Sequence, residues 1–451
     1  MNRRGVLVST EQFDSAALVQ FAKALDARGY DSLWLPELFG REPIATAGYL
    51  LGKTERIAVA TGIANVYVRD AHAMAQARHT LSELSGGRFM LGLGVSNAGL
   101  NTSRGHTWRA PLEKMTAFLD ALDKVEVAAP AAPRCPTYIA AHGPQLQALG
   151  AKRTDGVITY LMTPQHAQQT RARIGAKAAL SVVAMFLAEQ DPNVARAKAR
   201  SALKMYVRLD YYHREWRKLG FVDADFADGG SDRLIDALVA WGNDDALRAR
   251  IAAFDTAGAT RVIVMPLGVQ TKQGLDFRVL DALAPSPPDA ALGTIRRAQG
   301  GFEARLERAI AHDQKSVWAM LTEPAKLPQW LAPGELSQTG GGRAVLHFQD
   351  SGTVIDSAVS AVDAPRLIEY SWSGPGEPVR PVRWELAARD GGTHLVLTLR
   401  IPETEDIAKS CAGWEAHLQM LLAALDGAPI KFPFDRFKAA REAYKLRVPS
   451  N

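Results

Sequence analysis

Through residue 294 the chain alternates between two hydrophobic periods. Short apolar runs rich in β-branched residues are followed by stretches in which apolar positions recur every three or four residues. The runs Val6–Val8, Ser32–Leu35, Ile57–Ile63, Phe89–Leu93, Tyr138–Ala141, Val157–Tyr160, Leu180–Leu187 and Arg261–Met265 read as strands. Leu18, Phe21, Ala22 and Leu25 share one helix face behind Asp14, a suitable N-cap. Met74, Ala77, Leu81 and Leu84 mark another helix, stopped by Gly86-Gly87. Strict alternation of strand and helix predicts a parallel sheet. Eight such units fit a closed (β/α)8 TIM barrel better than an open doubly wound sheet.

Beyond Ala284 the pattern changes. Ala284–Thr294 has Pro285, Pro287 and Pro288 in close succession, which forbids a helix and favours an extended spacer. Phe302–Ile310 then alternates like a half-buried strand, and Val317–Met320 and Leu327–Leu331 look like short helices. Alternating runs follow at Ala344–Phe348, Ser357–Val362, Leu367–Trp372, Val382–Ala387 and His394–Leu399. Cys411, Trp414, Leu418, Leu421, Leu422 and Leu425 line one face of a closing helix. This is the pattern of an α+β domain, an antiparallel sheet wrapped on a long helix. The expected organisation is a barrel over 1–284, a linker over 285–300, and a second domain over 301–451 whose basic tail, Ala428–Val448, is helical.

Composition narrows the functional class. With 47% hydrophobic and 22% charged residues, the chain is globular and not disordered. The net charge of +5 belongs to residues 1–294, which carry 34 basic and 29 acidic side chains. No basic run marks a nucleic-acid face. Cys135 and Cys411 are the two cysteines, too few for a disulfide framework or a CxxC metal site. The longest apolar stretch, Ala178–Ala188, falls short of the ~20 residues of a membrane span. Gly5–Val8 is too short for a signal peptide. A cytoplasmic protein without nucleic-acid or membrane partners is expected.

In a (β/α)8 barrel, chemistry sits at the C-terminal ends of the strands. That directs attention to Pro36–Phe39, Gly62–Arg69, Gly94–Gly99, Ala141–Pro144, Thr159–Thr163 and the insertion after the seventh strand. Gly92-Leu93-Gly94 is not a GxGxxG motif and reads equally as close strand packing. Ala141–Pro144 leaves a strand for a helix start, either a phosphate site or an ordinary loop. His72, Gln76, His79 and Glu83 share a helix face, but without HExxH they read as solvated and no metal is expected. Tyr211-Tyr212-His213 and Trp216 suit a lid over a flat ligand or plain helix packing. Taken alone, these residues stop short of a reaction.

Three segments carry a resemblance. Gly29–Glu37, Thr61–Arg69 and Leu81–Ser96, the last with its Ser-Gly-Gly-Arg-Phe and Gly-Leu-Gly runs, resemble the luciferase-like monooxygenase family. Tyr138–Pro144 with Thr154-Asp155-Gly156, then Gly230–Leu234 and Ala257–Val262, extend the likeness over residues 5–283. The segments look most like the branch that uses the deazaflavin coenzyme F-420, with FMN as the alternative. The resemblance implies a phosphate held at Ala141, His142 and Gly143. It implies a ring face lying against Gly62, Ile63, Ala64 and Asn65, with a non-prolyl cis peptide in that stretch, and Thr159 at the cofactor. Related sugar dehydrogenases place a His and a Glu where Leu38 and Asn97 stand here, which argues against sugar oxidation. Glu37 and Asn97 remain as catalytic candidates, although an amide such as Asn97 is no general acid.

The second domain is similar to the helix-grip START/Bet v-like superfamily, in its branch of heat-shock ATPase activators. Val317–Pro324, Gln329-Trp330-Leu331 and Gly413-Trp414 carry the likeness. It implies an apolar ligand cavity, against which plain core packing of the tryptophans is the stronger reading. The expected function is hydride transfer between F-420 and a small, apolar organic substrate, with a homodimer compatible. The alternatives are an FMN-dependent monooxygenase and a hydrophobic-ligand-binding protein with an idle barrel.

Overall fold

The computed structural model describes residues 3–11, 13–271, 274–285, 292–349, 351–389 and 392–449. The chain divides into two compact units, Met1–Asp26 with Tyr30–Ala284, and Ala27–Gly29 with Pro285–Asn451.

The first unit holds strands β1 (Arg3–Leu7), β2 (Ser32–Leu35), β3 (Ala58–Thr61), β4 (Ala64–Asn65), β5 (Phe89–Gly94), β6 (Thr137–Ala140), β7 (Gly156–Tyr160), β8 (Ala179–Leu187), β9 (Val239–Trp241) and β10 (Arg261–Pro266). A small antiparallel ribbon follows, β11 (Gln270–Thr271) with β12 (Gly274–Leu275). Pairing runs β10-β1-β2-β3-β5-β6-β7-β8, all parallel, and β10 also pairs with β8, so the sheet closes on itself. The eight expected runs are the eight barrel strands. β4 continues the third strand beyond a break, and β9 extends the outer end of β8.

Period two decides what each strand residue faces. Leu7, Trp34, Ala60, Met90, Tyr138, Ile158, Val183 and Ile263, one from each barrel strand, form the interior cluster. Their neighbours Val6, Leu33, Val59, Leu91, Ile139, Val157, Val182 and Val264 pack outward against the helices. At the N-terminal end of the strands, Arg261 lies over the Trp34 ring at 5.7 Å and pairs with Asp31 at 3.2 Å. Trp34 Nε1 donates to Ser32 Oγ at 2.9 Å.

The surrounding helices are α1 (Ser15–Ala27), α2 (Pro43–Leu51), α3 (Ala71–Leu84), α4 (Ala98–Ser103), α5 (Pro111–Leu122), α6 (Pro144–Arg153), α7 (Pro164–Ile174), α8 (Pro192–Leu203), α9 (Asp210–Lys218), α10 (Asp232–Leu238), α11 (Asp244–Thr256) and α12 (Arg278–Ala282). Side chains cap many of them. Asp14 accepts from Ala17 N at 2.7 Å ahead of α1, and Asp70, Thr163, Asp191, Ser231 and Asn243 do the same for α3, α7, α8, α10 and α11. Gly143, at the head of α6, makes no such bond.

The second unit is an eight-stranded antiparallel sheet. Its strands are β13 (Thr294–Ala298), β14 (Gly301–Ile310), β15 (Gly334–Leu336), β16 (Arg343–Phe348), β17 (Thr353–Asp363), β18 (Leu367–Ser371), β19 (Pro381–Arg389) and β20 (Gly392–Pro402), in the order β13-β14-β20-β19-β18-β17-β16-β15. Helices α13 (Gln314–Thr322), α14 (Ile407–Leu425) and α15 (Phe434–Lys445) complete it. Residues 286–291 of the expected linker lie outside the described residues. Its later part, Thr294–Ala298, is a strand paired with Gly301–Arg305 and not a spacer, because β14 offers it a full ladder. Trp330, Trp384 and Trp414 meet edge to face within the core, with centroids 5.8 Å and 5.4 Å apart. Glu415 of α14 is wholly buried. It pairs with Arg308 and, at 3.1 Å, with Arg436, and it accepts from Tyr444 Oη at 2.7 Å. Among the described residues, no helix is long and apolar enough to cross a membrane.

Candidate active site

The C-terminal ends of the barrel strands open into a cavity of about 1340 Å³. Leu7, Ile158, Val183 and Met265 form its apolar floor. Gly62-Ile63 and the segment Val95–Gly99 make one wall, and Tyr206, Tyr211 and Tyr212 make another. Asp210, Arg214, Glu215 and Lys218 of α9 put charge at the rim.

The Gly62–Ile63 peptide is cis, which fixes the bond that the sequence left open within Gly62–Asn65. The third strand bends into the cavity here because small residues face it. A Cβ on Gly92 would stand 2.2 Å from Thr61 O, and one on Gly94 would stand 2.5 Å from Ile63 Cγ1. The glycines of Gly92-Leu93-Gly94 therefore serve close strand packing. Ser96, just beyond β5, has φ 57°, a left-handed conformation that costs energy in a non-glycine residue and is often found at functional sites.

At the head of α6 the first-turn amides of Gln145 and Leu146 border the cavity with no side-chain cap at Gly143. Free N–H groups and the helix dipole favour an anion there. Beside them, His142 Nδ1 is buried with no hydrogen-bond partner. Burial, with a smaller push from His166, lowers the His142 imidazole to about 3, so the ring is neutral. The His142 carbonyl accepts from Gln147 Nε2 at 2.8 Å and from His166 Nε2 at 3.0 Å, which fixes the loop. Glu215 approaches Gly143, and Lys218 neutralises it at 2.7 Å. Arg214 has no ion-pair partner among the described residues.

The expected site residues divide. Gly62, Ile63, Asn97, His142 and Gly143 line the cavity. Asn97 also caps α4, its Oδ1 accepting from Leu100 N at 2.9 Å. Ala64, Asn65, Ala141 and Thr159 are absent from the lining. Ile158 and Tyr160 face inward, so alternation turns Thr159 outward, where its Oγ1 is buried without a partner. Ala141 and Ala64 belong to the outer core. The Asn65 side chain is spent on Asn101 at 2.8 Å and on Tyr67 N at 3.1 Å.

Glu37 borders the cavity, but its carboxylate is not free for proton transfer. Arg69 holds both oxygens at 2.8 and 2.9 Å, and Asn65 N donates to Oε2 at 2.7 Å. It ties the cis-peptide loop to the second strand's loop, which is an orienting role. On α3, His79 Nε2 is taken by Pro130 O at 2.7 Å, and no cluster of three or more metal-ligating side chains occurs among the described residues.

The insertion after the seventh strand does two jobs. Trp216 is a buried packing residue whose Nε1 donates to Leu161 O at 3.0 Å, and Tyr212, stacked on it, is buried while also bordering the cavity. Tyr211 and Tyr206 face the cavity. Tyr160 and Tyr206 were not singled out from the sequence. Tyr160 carried a signal, since it ends the sixth predicted run on the face of Ile158. Tyr206 carried none.

Fold and site define a (β/α)8-barrel enzyme for small-molecule chemistry. Residues 1–261 match the luciferase-like monooxygenase family, more than half of the chain, and the chain belongs to that family. Residues 311–426 match the family described as activator of Hsp90 ATPase homolog 1-like protein. The 5,10-methylenetetrahydromethanopterin reductase of Methanolobus tindarius is 24% identical over 57% of this chain and 93% of its own length. A protein of Mycobacterium tuberculosis named as a putative coenzyme F-420-dependent oxidoreductase is 22% identical over 54% of this chain and 89% of its own length. Among solved structures, an F-420-dependent secondary alcohol dehydrogenase with an F-420–acetone adduct aligns at TM-score 0.49 and 15% identity, covering 62% of this chain and 96% of that one.

Proposed function

We propose that the barrel transfers a hydride between coenzyme F-420 and a small, largely apolar organic substrate. The observation that carries this reading is a cavity that combines an uncapped helix N-terminus and an unpaired buried imidazole nitrogen with a wall at Gly62–Ile63. The α6 amides and His142 would hold the phosphate, and Gly62–Ile63 would back the ring. Arg214, at the rim, suits an acidic tail. When bound, the cofactor supplies the hydride, so the chain's own work is to bind, orient, exclude water and move a proton. The apolar floor of Leu7, Ile158, Val183 and Met265 supports an apolar substrate, and neither Leu38 nor Asn97 can act as the acid of a sugar dehydrogenase. The F-420-dependent names among the relatives favour the deazaflavin over FMN.

The experiment is a fluorescence titration of the apo-protein with each cofactor. Saturable F-420 binding with none for FMN is expected. Tight FMN binding with none for F-420 would replace this reading with a flavin monooxygenase. For the second unit, the half-buried rings of Phe348, Trp372 and His417 around Trp414 support contact with an apolar ligand. Tryptophan fluorescence should change on adding a medium-chain fatty acid, and an unchanged spectrum would leave these rings as core.

A further inference from the structure

Every reduction of a carbonyl or enone needs a proton as well as a hydride. The expected acid is absent, since Glu37 is fully engaged and Asn97 is an amide. The cavity instead contains a hydrogen-bonded pair of phenols. Tyr160, at the C-terminal end of β7, donates from Oη to Tyr206 Oη at 3.0 Å. Met265 Sδ, at 3.3 Å, is the weaker alternative acceptor. The rings meet edge-on at 5.3 Å, and both line the cavity. Because Tyr206 accepts from Tyr160 and, among the described residues, donates to no protein atom, its own proton is free to point at a ligand.

Building on the hydride-transfer reading, we propose that Tyr206 is the proton donor of the barrel and that Tyr160 is the positioning residue that stabilises its phenolate. The substrates are then ketones or enones, acceptors that end in oxygen. A hydride from the reduced deazaflavin goes to carbon. The Tyr206 Oη–H bond breaks and its proton goes to the substrate oxygen. The charge left on Tyr206 is held by the Tyr160 hydrogen bond until water at the mouth returns a proton, and oxidation runs the same steps backwards.

The surroundings suit a protonated donor. Burial raises the Tyr206 pKa, while the bond from Tyr160 works in the opposite direction. The titratable groups packed around the pair are Tyr212, edge-on to Tyr206 at 5.8 Å, Tyr211, and the neutral His142. Asp210, Arg214 and Glu215 are the charges at the rim.

The test uses the full chain with reduced F-420 and cyclohexenone. Tyr206→Phe should lower turnover about 100-fold while F-420 affinity stays within about two-fold. Tyr160→Phe should lower it about ten-fold and move the alkaline limb of the pH profile upward, because the phenolate loses its donor. Apo-protein labelled with carbon-13 at tyrosine Cζ gives a readout independent of turnover. The Tyr206 resonance, assigned by its loss in Tyr206→Phe, should move in Tyr160→Phe. Wild-type turnover in Tyr206→Phe, or an unmoved Tyr206 resonance, would overturn the proposal. Absence of turnover in the unsubstituted protein would instead count against the hydride-transfer reading.

Discussion

The space over the barrel and the space under the second sheet are treated in opposite ways. In the second unit, Trp384 packs edge-on against both Trp330 and Trp414 of α14, and the indole N–H groups of Trp318 and Trp330 have partners, Gln338 at 3.0 Å and Met320 O at 2.8 Å. Above the barrel floor, His142 Nδ1 has none, beside a cavity of about 1340 Å³. Buried polar groups are normally satisfied, so unsatisfied ones that gather round a cavity mark a place for a ligand. The tryptophan cluster of the second unit is shaped by packing, whereas the space over the barrel is left open to a ligand.

The comparison can be broken at several points. The largest expected effect is at Glu415. Glu415→Ala strands Arg308 and Arg436 in the interior of the second unit and should cost about 3–5 kcal/mol in a urea melt. A loss below about 1 kcal/mol would show that these charges reach water, as a surface pair does. Gly92→Ala drives a Cβ onto Thr61 O and should cost about 1–3 kcal/mol, together with most F-420 affinity, since the backbone at Thr61, next to the cavity-lining Gly62, must shift. Glu37→Gln keeps one acceptor for Asn65 N but loses the paired charge of Arg69. It should lower turnover about ten-fold at most, against the ~100-fold or more expected of a general acid. A further effect concerns pH. Burial lowers His417 to about 4, with the bond to Trp330 O opposing. Its folded value lies below the unfolded value of about 6.5. Its stabilisation is thus complete above pH ~6.5 and fades as pH falls toward ~4. Thermal melts of His417→Gln should show a flatter dependence across that window.

The contrast also explains what the sequence could show. The eight barrel strands were legible because long β-branched runs must be buried on both faces. β9, Val239–Trp241, is apolar but too short to show a period, and β13 is the largely exposed Thr-Ile-Arg-Arg-Ala, so neither has a readable strand pattern. β15, three residues long, was invisible for the same reason. In the site, the loops were legible but side-chain direction was not. Ala141 and His142 are adjacent, yet only His142 faces the cavity, and Thr159 fails where Ile158 and Tyr160 succeed. From sequence Glu37 stood equally as a catalytic candidate or a loop-orienting residue, because its engagement by Arg69 depends on residues 32 positions apart. Tyr206 joins Tyr160 from 46 residues away, a pairing that only the closed barrel creates.

The most direct measurement follows the hydride itself. Reduced F-420 carrying deuterium at its hydride-donating carbon is mixed with the full-length protein and cyclohexenone, and the product is examined by mass spectrometry. The account predicts saturated ketone carrying one deuterium on carbon. Product without deuterium, or product that has gained an oxygen atom from dioxygen, would contradict it.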